Sequence, residues 1–532
     1  MNDSSPSGGK PGSGHTTGRF ALFVAAGILL SRVVGLVRLR AFAYYFGVQS
    51  DAADAFNAGF RIPNLLQNLF GEGVLSASFI PVYAPALARG DEKEAGRLAG
   101  AIAAILSLIT SAVVLAGILA APVLVDLIAP GFDGAKRELT VRVVQILFPG
   151  AGLLVLSAWC LGILNSHGRF FLSYAAPVIW NAAMIAALVG FGGRVDQPRL
   201  AVALAWGSVA GSLLQFAVQV PVVVRLARRL HLSLGRGMES VRTVLRNFVP
   251  VFFSRGVVQI SAYVDAMIAS LLPTGAMTGL ANAQLLYTLP VSLFGMAVSA
   301  AELPAMSSAL GTEEEIAGAL RRRLNSGLRR IAFFVVPSAV AFAALGDVIS
   351  AALLQTGRFT YQDAVYVWGI LAGYSVGLLA STLGRLYSST YYALRDTRTP
   401  LQFAAVRVPM AGVLGIAFAT QLPGMMGIEE RWGVAGLTLA SAIAGWVEFA
   451  LLRHRLNRRI GETGLPLAFS IRLWSAGLLA AAAGWGVKLA VGTAGPLIAA
   501  ALILPAFGIV YFGMTLAWGI PEARTLFRRV RR

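Results

Sequence analysis

Cysteine is nearly absent from this chain. Cys160 is the only one among 532 residues, which excludes an intrachain disulfide and any multi-cysteine metal site. Histidine is almost as scarce. The four copies, His15, His167, His231 and His454, are too dispersed in the sequence to suggest a histidine-ligated metal. Charge is scarce as well: 13% of residues are charged and 57% are hydrophobic, where a soluble domain carries about 25% charged residues. No Gly-x-x-x-x-Gly-Lys-Ser/Thr loop is present, so the sequence offers no P-loop for ATP.

What is abundant is long apolar sequence. Apolar segments separated by charged or Gly/Pro loops predict about fourteen membrane spans. They run approximately over 20–47, 52–88, 98–125, 139–164, 172–192, 200–224, 247–272, 278–310, 331–346, 364–391, 401–421, 434–452, 471–491 and 496–518. The chain therefore reads as an all-α polytopic membrane protein. Residues 1–18 are rich in Ser, Gly and Pro and are expected to lack order. The apolar run from Phe20 is a poor cleaved signal because Arg32 interrupts it.

The net charge of +19 could suggest nucleic acid, but its placement points to the membrane. With the amino terminus cytoplasmic, only Lys136, Arg137, Arg142, Arg194, Arg199, Arg358 and Arg431 fall in outer loops. Arg32, Arg38, Arg40, Arg61, Arg255, Arg385, Arg407 and Lys488 fall within spans, and every other Lys and Arg is cytoplasmic. That asymmetry follows the positive-inside rule and puts both termini on the cytoplasmic side.

An internal repeat is also visible. Leu30-Ser31-Arg32 returns as Phe253-Ser254-Arg255, and Phe70-Gly71-Glu72 with Pro81 returns as Phe294-Gly295-Met296 with Pro304. Gly131-Phe132 and Arg169 are answered by Gly357-Arg358-Phe359 and Arg395. Both copies start on the same side, so the expected architecture is two parallel-repeat six-helix bundles plus two carboxy-terminal helices. Such folds expose a substrate held between the halves to each side alternately. The expected division is a tail over 1–19, an amino-terminal lobe over 20–226, a basic linker over 227–246, a second lobe over 247–454, and a two-helix appendix with a basic tail over 455–532.

The charges inside the spans are the candidate functional groups. Arg32 lies about 20 Å along the helix from Arg19 at 1.5 Å per residue. That is too deep for easy snorkelling, so Arg32 must find a wet cavity or a partner. Arg38 lies about 120° around the helix from it, and Gly35 between them could supply a bend. For Arg40, marking the membrane interface is the simpler reading. In the second span Asp54, Asn57, Arg61, Asn64, Asn68 and Glu72 recur every three or four residues, which draws one polar stripe along one helical face. A stripe of that kind cannot face lipid. Its acids, Asp54 and Glu72, either knit helices together or orient the arginines and latch a gate. In the seventh span Arg255 and Gln259 share a face, with Asp265 deeper and able to pair with Arg407. Lys488, near a span end, reads as snorkelling.

These residues carry a resemblance. The stretches Ser31-Arg32-Val33-Val34-Gly35 with Arg38, Asp54-Ala55-Phe56, Ile62-Pro63-Asn64-Leu65-Leu66 and Phe70-Gly71-Glu72-Gly73 are similar to motifs of the MurJ (MviN) family of lipid II flippases. So are Ala129-Pro130-Gly131-Phe132, Gly162-Ile163-Leu164-Asn165 with Arg169-Phe170, Pro177 and Asn181, Gln355-Thr356-Gly357-Arg358-Phe359-Thr360, and Asp396-Thr397-Arg398-Thr399-Pro400. The resemblance covers nearly everything after residue 19. It implies a MATE-like fold of the multidrug/oligosaccharidyl-lipid/polysaccharide (MOP) exporter superfamily. It also implies a cationic cavity for a diphosphate-sugar-peptide head and a groove on the last two helices for the polyprenyl tail. Two departures stand out. The family commonly has an arginine where this chain has Gln67, and an Asp-Arg pair where it has Gln284-Leu285. Arg255 is the candidate replacement for part of that charge. Residues 401–420 hold no carboxylate, which argues against a sodium site on the eleventh span.

The expected function is movement of lipid II, an undecaprenyl-diphosphate-linked glycopeptide, from the inner to the outer leaflet of a bacterial inner membrane for peptidoglycan synthesis and cell shape. The expected substrate-binding residues are Ser31, Arg32, Arg38, Arg61, Asn64, Gln67, Arg255 and Gln259, with Asp54, Glu72 and Asp265 as gating or cavity acids. No metal, cofactor or nucleic acid is expected. The chain is expected to be a monomer in contact with membrane lipids and with the cell-wall synthesis machinery. The alternative is a MOP exporter of another lipid-linked oligosaccharide or of a drug, although a cationic drug would favour cavity acids over arginines. A membrane enzyme on polyprenyl phosphates would need clustered carboxylates or a histidine at a membrane face, and no Asp-Asp pair or intramembrane histidine is present.

Overall fold

The computed structural model describes residues 14–227, 229–308, 312–492 and 494–530, and the side chains at 14–26, 28, 72, 253–262 and 527–530 lie outside that description. The described residues form helices throughout and no strand beyond one isolated bridge, Thr356 to Phe359. In chain order the first helices are α1 (Gly14–Phe46), α2 (Asp51–Phe70), α3 (Glu72–Ser78), α4 (Ile80–Ala88), α5 (Glu92–Leu119), α6 (Ala121–Ile128) and α7 (Gly134–Ser166). There follow α8 (Phe170–Phe191), α9 (Gln197–Leu226), α10 (Glu239–Ser270), α11 (Ala276–Pro290), α12 (Ala297–Ser307), α13 (Glu313–Leu354) and α14 (Tyr361–Ala393). The last are α15 (Arg398–Thr420), α16 (Leu422–Met426), α17 (Gly433–Ile460), α18 (Leu467–Val491), α19 (Pro496–Ala517) and α20 (Pro521–Val530).

Among the described residues, eleven helices or joined helix pairs are long and apolar enough to cross a membrane. The first, second and seventh expected spans are not in that set. They correspond to α1, to α2 through α4, and to α10, the segments that carry Arg32, Arg38, Asp54, Arg61, Arg255 and Asp265. Parts of α1 and α10 lie outside the described side chains, and the second expected span is divided into three short helices.

The sequence repeat reappears as helix boundaries. Helices α7 and α14 are both 33 residues long, and Gly131-Phe132 and Gly357-Arg358-Phe359 occupy the turns that precede them. The Phe-Gly motifs also coincide with irregular backbone. At Gly71 the second span breaks between α2 and α3, and at Phe294-Gly295 the equivalent span widens into a π-helical turn, Val291–Met296. The break at Gly71 corrects the expectation of one continuous stripe, because Glu72 opens α3 instead of ending α2. A side chain on Gly71 would lie 2.1 Å from the carbonyl oxygen of Gln67. Helix α1 likewise starts at Gly14, inside the segment 1–19 expected to lack order. Extending an existing helix by one residue costs far less than nucleating one.

Two compact units emerge. One comprises residues 1–42, 58–125 and 134–259, and the other 43–57, 126–133 and 260–532. In the first, α7 packs on α5, α8 and α9. Ser157 on α7 donates to Gln219 at 2.8 Å and accepts from Gln215 at 2.9 Å, both on α9, so its buried polar atoms are satisfied within the bundle.

In the second unit α14 packs against α13 and α17, α15 against α17, and α18 and α19 against each other and α13. The α14–α17 contact is built on Gly373 and Gly377, four apart, which lie against Thr438 and Ala442. Small residues at that spacing let helix backbones approach closely, a principal source of helix association in lipid. The approach also lets Thr438 Oγ1 donate across to Ile370 O at 2.9 Å. Loop chemistry sets the helix starts: Thr312 with Glu315 and Thr360 with Asp363 form capping boxes at α13 and α14.

A Cβ at position 377 would stand 2.6 Å from Ala442 Cα. Gly377→Val should therefore destabilise the protein by about 1–3 kcal/mol or more, the cost of forced overpacking. Thermal unfolding in detergent should show a lower midpoint, and an unchanged one would refute the close α14–α17 contact.

Candidate functional site

Asp54 illustrates how an acid is accommodated in this setting. It is buried, yet its carboxylate accepts from Gly275 N at 2.8 Å, Thr278 N at 2.9 Å and Thr278 Oγ1 at 2.7 Å. Those backbone donors belong to the first turn of α11, which makes Asp54 a cap supplied by another helix. Its charge also complements the positive end of the helix dipole. Gly275 adopts φ +95°, a left-handed conformation that brings its N–H to the carboxylate without a Cβ penalty. Asn57 donates to Thr278 Oγ1 at 3.1 Å, and Asp51 accepts from Thr274 Oγ1 at 2.7 Å. The start of the polar stripe thus fastens α2 to α11 within one compact unit.

Arg38 is the opposite case. Its guanidinium carbon lies 5.0 Å over the Trp180 ring, and its Nη1 is 3.5 Å from Met184 Sδ, both on α8. Its Nε is buried without a hydrogen-bond partner, and no carboxylate pairs with it among the described residues. Trp180 is held in turn by its indole N–H donating to Ser208 Oγ at 3.1 Å. Nearby, Asn181 spends its amide N–H on the Pro177 carbonyl at 3.0 Å, while its Oδ1 is buried and unmatched. That oxygen lies 4.0 Å from where a Cβ on Gly35 would stand. This corner of α1 and α8 therefore holds an unmatched donor and an unmatched acceptor around an unneutralised cation. A cation–π contact with an aromatic ring offsets only part of the cost of burying an arginine.

Arg32, two turns earlier on α1, is exposed among exposed apolar neighbours, Leu29, Val33 and Leu36. No hydrogen bond or ion pair joins it to another described residue. Ser31 beside it is half-buried. Arg61, Asn64 and Gln67 are half-buried on α2. Asn64 and Gln67 line, with Trp180, Ser208 and Ser212, a cavity of about 20 Å³, room for about one water. The structure thus places Arg38, Asn64 and Gln67 around the shared residue Trp180. The expected roles of Arg255, Gln259 and Glu72 fall on side chains outside the described residues.

Asp265 belongs to a second polar group, in the other unit, where it accepts from Ser441 Oγ at 3.2 Å. Arg407 is paired with Glu448 on α17, 3.0 Å away. Glu448 lies inside the expected span 434–452 and is not among the expected site residues. Glu302, also buried, pairs with Arg323 at 3.5 Å and Arg330 at 3.4 Å. Lys488 is corrected: its Nζ lies 2.6 Å from Asp347 Oδ2 and 4.5 Å over the Trp485 ring, so it is engaged inside the protein instead of snorkelling. Trp180 and Met184 were missed too. The only sequence signal for them was their place on the span that carries Pro177 and Asn181.

The family model described as lipid II flippase MurJ matches residues 42–509. A relative named lipid II flippase MurJ, from Burkholderia cenocepacia, is 32% identical over 96% of this chain and 99% of its own length. Among solved structures, a lipid II flippase MurJ in an inward closed conformation has a TM-score of 0.74 at 22% identity, covering 96% of this chain and 100% of that one. A MATE family multidrug transporter of the MOP superfamily, inward-facing, has a TM-score of 0.61 at 18% identity, covering 80% of this chain and 95% of its own. The expected MATE-like architecture is therefore the observed one.

Removing the Asp54 carboxylate leaves buried N–H groups of α11 without acceptors, at about 1–3 kcal/mol each. Asp54→Ala should lower the unfolding midpoint clearly, and Asp54→Asn, which keeps one acceptor oxygen, should lower it less. Equal midpoints for the two variants and the native chain would refute the capping role.

Proposed function

Because the chain belongs to the lipid II flippase MurJ family, a family of membrane transporters, we propose that it carries lipid II from the cytoplasmic to the outer leaflet by alternating access. The observation that supports this most directly is the state of Arg32 and Arg38 on α1. Among the described residues Asp54 is matched by backbone N–H groups, and Glu302, Arg407 and Lys488 by ion pairs. Among the described residues Arg38 has no counter-charge, and Arg32 is exposed without a partner beside exposed apolar side chains. A cation in that state is tolerable where it meets water or an anionic ligand.

A diphosphate supplies the missing groups. Its oxygens accept from the unused guanidinium donors, and Arg is suited to gripping phosphate through a planar fork. Asn64 and Gln67 offer amides to the sugars and peptide of the head group, and the Asn181 carbonyl oxygen accepts from a sugar hydroxyl. Gln67 stands where family members commonly have arginine, so in this chain that subsite contacts the head through hydrogen bonds alone, and Arg255 restores part of the positive charge. The cap from Asp54 to α11 serves as a latch that must release or hold as access changes sides.

A doubly charged head moving outward against an inside-negative potential gains about 4–5 kcal/mol per 100 mV, which supplies a driving force without ATP. The acceptor at the outer face is the peptidoglycan-polymerising machinery. The protein acts as a monomer in a bacterial inner membrane with both termini cytoplasmic, as the distribution of Lys and Arg supports.

Arg32→Ala and Arg38→Ala should each insert and fold, yet abolish lipid II translocation in proteoliposomes and fail to prevent cytoplasmic-face precursor accumulation when the native copy is depleted. Native translocation by either variant would refute its assignment. In a Cys160→Ala background, cysteines placed at Lys136 and Arg322 should react with an impermeant thiol reagent from the outer and the cytoplasmic side respectively. The reverse pattern would overturn the topology.

A further inference from the structure

The ends of α13 and α18 and the starts of α14 and α19 meet around a second cavity, of about 420 Å³. That volume is far beyond a single water and within the range of about 300–1,000 Å³ typical of small-molecule sites. Because four span ends converge there, the cavity lies at a membrane face, and by the topology proposed above it is the outer one. Its walls are apolar at Val348, Val491 and Ile503 and polar at Asp347, Tyr361 and Lys488.

The polar wall is incompletely matched. Asp347 is 1% exposed, and its Oδ2 accepts from Lys488 Nζ at 2.6 Å and from the Tyr361 hydroxyl at 2.8 Å. Its Oδ1 is buried with no partner among the described residues. A buried carboxylate oxygen without a donor is costly, so the cavity calls for an N–H or O–H group beside Asp347. Lys488 has three N–H donors and spends one on Asp347. With its side chain 24% exposed, it keeps donors for an anion. A fixed acceptor thus stands next to a fixed cation, above apolar walls, at the level where lipid head groups lie.

We propose that this cavity binds an aminophospholipid of the facing leaflet, with its primary ammonium on Asp347 Oδ1, its phosphate on Lys488 Nζ and its acyl chains along Val491 and Ile503. A choline lipid offers no N–H to the carboxylate. An anionic glycerol lipid adds a net negative charge beside Asp347 without an ammonium to offset it. The inference concerns a site distinct from the α1 arginines and stands whether or not those residues grip cargo.

The test uses the full-length protein, delipidated in detergent and titrated with phosphatidylethanolamine, phosphatidylcholine or phosphatidylglycerol of identical acyl chains, with bound lipid read by native mass spectrometry. The ethanolamine lipid should bind about tenfold more tightly than the choline lipid, the worth of one charge-assisted hydrogen bond. Ala499→Phe narrows the cavity from a lining position that is not a member of the ion pair, so it should keep the fold and lose the preference. Asp347→Asn should lose it as well where the variant folds. Equal binding of ethanolamine and choline lipids, preference for the glycerol lipid, or a preference retained in Ala499→Phe would each overturn the proposal.

Discussion

A charge carried into a bilayer must be met by an opposite charge, by directed hydrogen bonds or by water, and this requirement shapes the protein more than any single packing contact. The structure uses each remedy in a different place. Asp54 is met by the donors of a helix start. Arg407, Glu302 and Lys488 are met by ion pairs. Arg32 and Arg38 of α1 are met by none of these among the described residues, and that leaves water or ligand as the remaining partner. The proposed function places transport where the protein leaves its own electrostatics incomplete.

The scaffold of the second unit is built from small residues. Gly373 and Gly377 let α14 lie against α17, and Gly433 and Gly436 bring α17 within reach of Ala419 O and Phe418 O on α15. In lipid there is little hydrophobic drive to hold helices together, so close backbone approach and interhelical hydrogen bonds carry the association. A bundle of this kind holds the buried polar groups of its own unit, such as Arg407 with Glu448 and Lys488 with Asp347, at fixed distances.

Much of the fold was legible in the sequence. Apolar run length marks spans because the hydrocarbon thickness is fixed, and the repeated Phe-Gly and Ser-Arg motifs announced the duplication later seen in α7 and α14. The polar stripe of the second span was legible as far as Asn68. Its break at Gly71 was not, since a helix and a broken helix share the same periodicity over short windows. In the site, Arg32, Arg38, Asp54, Asn64 and Gln67 could be named as polar residues in apolar sequence. Their partners could not. Trp180 lies more than a hundred residues from Arg38, and nothing in local sequence couples a tryptophan on one helix to an arginine on another.

The sequence by itself determined that this chain is a polytopic helical membrane protein of duplicated design with cations inside its first span, because hydrophobic length, charge bias and repetition are properties of residue order. Only the tertiary structure decided which charges are neutralised. Asp54 became a helix cap, Lys488 an ion-pair partner and Arg38 an unpaired cation on an indole ring, because the partner of a buried charge is set by which helices meet and at what depth. Those distances exist only once the bundle has closed.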